Sequence, residues 1–254
     1  MSSATEYAPG LLIRGFAPPL PLSAFGLIAF DMDSTLINIE CIDEIADAAG
    51  RKAEVAAITE AAMRGEISDY KDSLRRRVAL LAGVPIGHLE QVYRERLHFN
   101  PGAERLAAVC KAAGLKLLLV SGGFSYFTER VGARLDIDFC RSNVLEVANG
   151  RLTGHVLPQA WGDICDGAEK RSMLLQTCAQ LGLEPTQAIA VGDGANDLPM
   201  MQVAGLSVAY HAKPAVQAQA MVSITQGGLD RLLELLHPSV KAPIGSPTRI
   251  DTPI

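Results

Sequence analysis

At 254 residues the chain can form one large α/β domain, or a medium domain carrying a smaller insertion. A hydrophobic fraction of 48% and a net charge of −5 describe an ordinary soluble globular protein, and nothing in them suggests nucleic acid as a partner. Cys41, Cys110, Cys140, Cys165 and Cys178 are scattered without CxxC spacing, and their odd number argues against a disulfide framework or a zinc site and fits a reducing cytoplasm.

Residues 1–24 hold one arginine and a Pro-broken, weakly apolar stretch, APPLPL. This is neither a signal peptide nor a membrane span, and it reads as an irregular lead-in. Next comes LIAFDMDSTL, in which a short buried strand, Leu27 to Phe30, runs into Asp31, Met32 and Asp33. Two carboxylates one residue apart at a strand end can share a cation while presenting different faces to a substrate. Alone, the pair could equally cap a helix or close a turn.

From Asn38 the pattern is helical. Ile39, Ile42, Ala46 and Ala49 recur at helical spacing behind an Asn38 cap, with Gly50 placed to end the helix. A second helix carries Val55, Ile58, Ala62 and Met63, and a third runs from Ser68 through DYKDSLRRRVALLAG. On that third helix Tyr70, Leu74, Arg77 and Leu81 share a stripe at about 100° per residue, while Arg75 and Arg76 point elsewhere. Arg77 is therefore either a stem covering apolar surface or a guanidinium aimed at a carboxylate or phosphate in a cleft.

After Asn100 the α/β alternation returns. A helix over Ala103 to Ala113 leads to an apolar strand, Leu115 to Val120, of the kind buried in a parallel sheet. Ser121, Gly122 and Gly123 follow it, either as a tight turn or as a close backbone approach to an anion. Asn149-Gly150, between VLEVA and RLTGHV, predicts a hairpin with no chemistry assigned. The helix beginning near Gly167 puts Lys170 on the same stripe as Leu174 and Leu181. A cation in a helix's first turn opposes the helix dipole, so an anion is expected opposite it. In AIAVGDGANDLPM a third apolar strand ends at Asp193 between two glycines, and Asn196 and Asp197 open the next helix. Ligands of open α/β sheets bind beyond the carboxyl ends of the strands, so Asp31, Asp33, Ser121 and Asp193 are expected to converge there. Hard oxygen donors without clustered His or Cys suit Mg²⁺.

DMDSTL, SGG, Lys170 and GDGANDLPM resemble the four ordered motifs of the haloacid dehalogenase (HAD) superfamily of phosphotransferases. Over roughly Phe25 to Thr225, DMDSTLINIECIDEIADAAG, SLRRRVALLAGVP, LLLVSGGF and VGDGANDLPM resemble its phosphoserine phosphatase family in particular. The resemblance implies an α/β fold: a Rossmann-like HAD core with a mostly parallel sheet at 25–37 and 100–236, and a small helical cap inserted after the first strand at 38–99. Residues 237–254, rich in Pro with Gly and Ser, are expected to be a disordered tail.

The resemblance also implies Mg²⁺-dependent hydrolysis of O-phospho-L-serine through an aspartyl-phosphate, the last step of serine synthesis. It makes Asp31 the nucleophile and Asp33 the general acid/base. Asp31, Asp193 and the backbone carbonyl of Asp33 become Mg²⁺ ligands, with Asp197 supporting the metal site. Ser121, Gly122 and Lys170 would hold the phosphoryl group and Asn196 would orient substrate. In the cap, Glu40 would take the ammonium and Arg77 the carboxylate of the serine moiety, with Met63 and Tyr70 packing beside them. The family often has Phe where this chain has Tyr70. Some relatives carry an N-terminal regulatory domain that the short lead-in cannot hold, so serine feedback through one is not expected. The alternatives are a phosphatase of the same superfamily for another small phosphomonoester and a non-catalytic binding module. No membrane partner is expected, and oligomeric state is not addressed by the sequence.

Overall fold

The computed structural model describes residues 4–64 and 66–237, and the Met63 side chain lies outside what is described. The chain opens with β1 (Thr5–Ala8), β2 (Leu11–Ile13) and a short β3 (Leu20–Pro21), then β4 (Leu27–Phe30). Four helices follow: α1 (Cys41–Ala48), α2 (Lys52–Met63), α3 (Tyr70–Ala79) and α4 (Gly87–Glu95). Next come α5 (Ala103–Ala112), β5 (Lys116–Phe124), α6 (Ser125–Leu135), β6 (Phe139–Ala148) and β7 (Arg151–Leu157). The remainder is α7 (Gly167–Leu181), β8 (Ala188–Gly192), α8 (Leu198–Met201), β9 (Leu206–Tyr210), α9 (Pro214–Gln217), β10 (Val222–Ile224) and β11 (Leu236–His237).

The nine-stranded sheet has the order β1-β2-β10-β9-β8-β4-β5-β6-β7. Pairing is parallel from β10 through to β6 and antiparallel at both margins. LIAF, AIAVG and LSVAY are buried along their whole length because helices cover both faces of the sheet. Strand periodicity divides the core accordingly. Ile28, Phe30, Leu117 and Leu119 join the cluster that contains Leu106 and Phe127, whereas Leu27, Ala29, Leu118 and Val120 pack with Leu174 and Met200 on the opposite face. The chain runs outward from β4 to β5 and β6, then crosses back to β8 and β9. This reversal places a crevice beyond the carboxyl ends of β4, β5 and β8.

The lead-in is not irregular, as its prolines had suggested. Pro9-Gly10 turns β1 back on β2, with Gly10 at φ 72°, and β2 extends the main sheet by pairing with β10. The tie is reinforced by Arg14, whose guanidinium donates to the carbonyls of Gln217, Ala218 and Ala220. At the other end His237 pairs with Pro21 in a two-stranded ribbon, and residues 238–254 of the expected tail lie outside the described residues. The Asn149-Gly150 turn joins β6 and β7 as expected, with both residues at positive φ.

The cap helices leave and rejoin the core through two adjacent segments joined by an isolated bridge. Ile37 bridges Phe99, Asn38 N–H donates to His98 O at 3.0 Å, and Asn100 N–H donates to Leu36 O at 2.9 Å. Asn38 therefore does not cap α1: its Oδ1 accepts from His98 N–H at 2.8 Å, and the residue directly before the helix is Glu40, in extended conformation. Asp69 caps α3 by accepting from Lys71 N–H, so that helix begins at Tyr70 rather than Ser68.

Candidate active site

Three strand ends build the floor of the crevice. After β4 the chain turns sharply, with Asp31 N–H donating to Val191 O of β8 and Ser34 held at φ 57°. The turn sends Asp31 and Asp33 into the crevice. In β5 the strand continues through Phe124 instead of stopping at Val120. It bulges, since Val120 pairs with Arg141 but Phe124 pairs with Asn143. Ser121, Gly122 and Gly123 are the bulge, and Ser121 Oγ accepts from Gly123 N–H at 2.9 Å. Buried Asn143 fastens it by donating to Gly122 O at 2.7 Å and accepting from Cys165 N–H at 2.8 Å.

Beyond β8, Asp197 Oδ2 accepts from the N–H groups of Asp193 and Gly194 at 3.1 and 2.9 Å. Gly192 has to be glycine, because a Cβ there would overlap the Asp197 carboxyl. On α7, Asp166 caps the helix by accepting from Glu169 N–H at 2.9 Å, and Lys170, Met173, Leu174, Thr177 and Cys178 form its buried stripe. The anion expected opposite Lys170 is present twice: Nζ lies 2.5 Å from Asp31 Oδ1 and 2.7 Å from Asp197 Oδ1.

Burial alone would drive the Lys170 ammonium to lose its proton. Asp197 and Asp31 outweigh that and hold it above the ordinary lysine range. The carboxylates still outnumber it, since Asp31, Asp193 and Asp197 each offer an oxygen within 4.8 Å of the others. Burial, then the charges of Asp197 and Glu40, push Asp193 up to about 7. An all-oxygen set with excess buried negative charge fits a hard divalent cation. Asp33 is raised to about 8 by burial and then by Glu40. Its Oδ2 accepts from Cys41 N–H at 3.4 Å, whereas its buried Oδ1 has no hydrogen-bond partner among the described residues.

Above the floor is a cavity of about 600 Å³. Asp31, Asp33, Ser121, Gly122, Asp193 and Asn196 line its core side, and Glu40, Tyr70 and Arg77 its cap side. Lys170 and Asp197 lie fully buried beneath it. Arg77 faces the cavity from α3, its Nε donating to Ser73 O at 3.4 Å. Glu40 precedes α1 and accepts from Ser34 Oγ at 2.7 Å, so helical periodicity does not govern where it points. Three further residues were not found in the sequence. Asp43 and Lys213 also line the cavity, and Asn143 holds the bulge. Asp43 sits one helical turn beyond Glu40 and was hidden by the apolar pattern around it.

A family model described as haloacid dehalogenase-like hydrolase matches residues 28–202. The chain belongs to the haloacid dehalogenase-like hydrolases. It is 73% identical to a phosphoserine phosphatase of Albidiferax ferrireducens over 92% of this chain and 99% of that one. A solved structure of a substrate-bound phosphoserine phosphatase complex matches it with a TM-score of 0.77 at 37% identity, over 84% of this chain and 99% of that one. A phospho-aspartyl intermediate analogue of phosphoserine phosphatase matches with a TM-score of 0.76, also at 37% identity and with the same coverage. The α/β architecture of this haloacid dehalogenase-like hydrolase, with its mostly parallel sheet, agrees with the expectation drawn from its motifs. Among the described residues, no helix is long and apolar enough to cross a membrane.

Proposed function

We propose that this hydrolase cleaves O-phospho-L-serine to L-serine and phosphate, the last step of serine synthesis, in the cytoplasm. The carrying observation is the pairing of two chemistries in one cavity: Asp31, Asp33 and Lys170 at its floor, and a carboxylate and a guanidinium, Glu40 and Arg77, on its cap side. Glu40 and Arg77 complement the ammonium and carboxylate of an amino acid whose phosphate reaches the floor. The Albidiferax relative and the substrate-bound neighbour support the same reading. Five free cysteines, four of them buried, suit a reducing compartment.

Asp31 and Asp193, with the Asp33 backbone carbonyl, would hold Mg²⁺. Asp197 supports the site from beneath, since both its oxygens already serve Lys170 and the 193–194 backbone. When bound, Mg²⁺ neutralises charge on the phosphoryl oxygens. Lys170, Ser121 and the backbone at Gly122 hold the remaining oxygens. An Asp31 carboxylate oxygen attacks phosphorus, the bond to the serine oxygen breaks, and the phosphoryl group passes to Asp31. Asp33, kept protonated near neutral pH by burial, gives its proton to the departing serine oxygen. It then takes a proton from water as that water attacks the aspartyl-phosphate, releasing phosphate and restoring both aspartates. Asn196, beside Asp193 on the cavity wall, orients the substrate.

The test is phosphate release by the purified chain, with Mg²⁺ or EDTA, from O-phospho-L-serine, O-phospho-D-serine, O-phosphothreonine and p-nitrophenyl phosphate. Mg²⁺-dependent preference for phospho-L-serine is the expected result. Equal turnover across the panel would keep the core chemistry and remove the roles of Glu40 and Arg77, and no release from any of the four would leave a binding module.

A further inference from the structure

We propose that the hydroxyl of Tyr70 is a phosphoryl-binding donor, delivered by the cap to the backbone cradle of the core. Tyr70 is the first residue of α3, and its ring packs against the core cluster while its edge lines the cavity. The hydroxyl reaches across to the bulge of β5. A Cβ built on Gly122 would overlap Tyr70 Oη, with Cζ next at 3.3 Å and Cys165 O at 3.5 Å. The absence of a side chain at Gly122 is thus what admits the phenol.

Two cations act on this phenol. After burial, the strongest influences are Lys170 and Arg77, followed by Asp31. Arg77 lines the same cavity as Tyr70, and Lys170 is buried beneath its floor. Among the described residues no hydrogen bond ends on Tyr70 Oη. Burial keeps the phenol protonated, so it offers a donor to an anion. A phosphoryl group seated over Ser121 and Gly122 would supply an acceptor at this point. Lys170 and the Gly122 backbone approach from the core, and Tyr70 Oη comes from the cap, so full coordination exists only when cap and core are together.

This inference rests on the reading of Ser121–Gly122 as the phosphoryl cradle. Tyr70→Phe removes the hydroxyl and keeps the ring. With the Mg²⁺-loaded enzyme, kcat/KM is expected to fall roughly 10- to 100-fold, the cost of one hydrogen bond to a charged group, for both O-phospho-L-serine and p-nitrophenyl phosphate. Calorimetric titration with orthovanadate should show binding weakened by a similar factor. Unchanged kinetics and vanadate affinity would reduce Tyr70 to packing. Tighter vanadate binding would mean that the hydroxyl obstructs the cradle, and a loss confined to phosphoserine would mean that it reads the amino-acid end; either overturns the proposal. The two substrates share only the phosphoryl group, so a wild-type enzyme without preference for phosphoserine would sink the substrate assignment and leave this test standing.

Discussion

The ammonium of Lys170 lies 2.5 Å from Oδ1 of Asp31, with the lysine side chain fully closed to solvent and the aspartate only 7% exposed. Asp197 completes the arrangement from the other side at 2.7 Å. Such a group is part of both the fold and the chemistry, because each charge in it is tolerated only through the others. Lys170→Met should therefore lower the unfolding free energy by about 3 kcal/mol, leaving buried aspartates unpaired. It should also reduce kcat by about 10²- to 10³-fold, as loss of a preorganised charge at the transferring group does. Urea denaturation and steady-state kinetics on the same preparation measure both.

Asp31→Asn keeps shape and hydrogen-bonding capacity but removes the carboxylate proposed as nucleophile. Turnover should drop at least about 10⁴-fold with the circular dichroism spectrum unchanged. Intact-mass spectrometry of acid-quenched enzyme should find a phosphorylated species in the wild type and none in the variant.

Arg77 is half-buried in the cavity wall, where the proposed salt bridge to a substrate carboxylate would be partly shielded from water. Arg77→Ala should raise KM for phosphoserine by about 30-fold, the lower end of what truncating a charge pair costs. KM for p-nitrophenyl phosphate, which has no carboxylate, should change by less than about threefold. Equal losses on both would count against the clamp.

Asp193 sets a pH dependence whose direction follows from its raised pKa of about 7 against an ordinary value of 3.8. Between those values the metal-free native chain holds a proton that the unfolded chain has released. This contribution to stability is full below pH 3.8 and is lost as pH rises through about 7. A Mg²⁺ ion held by Asp193 would have to displace that proton, so its affinity should weaken by about tenfold per pH unit below 7. Thermal melts with and without Mg²⁺ should show a larger metal-induced rise in Tm at pH 8 than at pH 5.5.

Removing residues 1–15 deletes the β1–β2 hairpin and uncovers the edge of β10. The truncated chain should melt several degrees lower and aggregate, while KM for the remaining folded enzyme stays unchanged. Scattering during a thermal ramp, together with kinetics on the soluble fraction, checks this.

The convergence of residues at the cavity floor was legible in the sequence for a physical reason. Carboxylates placed straight after apolar strands contradict burial unless a cation is present, and Lys170 on an apolar stripe contradicts it in the opposite sense. Their meeting point followed from strand order. Glu40 could not be read in that way, because periodicity applies within a helix and Glu40 stands just before one. The lead-in was misread because its prolines outweighed a shorter signal. Pro9-Gly10 between TEYA and LLI is a turn dipeptide between strands, and the sheet edge that stabilises them belongs to residues more than 200 positions away. The bulge in β5 was equally invisible, since it depends on Asn143 in the neighbouring strand.

The cap departs and returns by segments that are themselves bridged, Ile37 to Phe99. Paired positions of this kind stand about 5 Å apart, so the two chain crossings between core and insertion lie side by side, while Gly83, Val84 and Ile86 of the insertion also hydrogen-bond to the β6–β7 hairpin. With both crossings at one place, residues 38–99 can be lengthened or exchanged as a unit, provided the bonds to the β6–β7 hairpin are kept, while Asp31, Asp33 and Asp193 hold their positions on the sheet. The same tie marks where an engineer would cut to give this catalyst a new clientele.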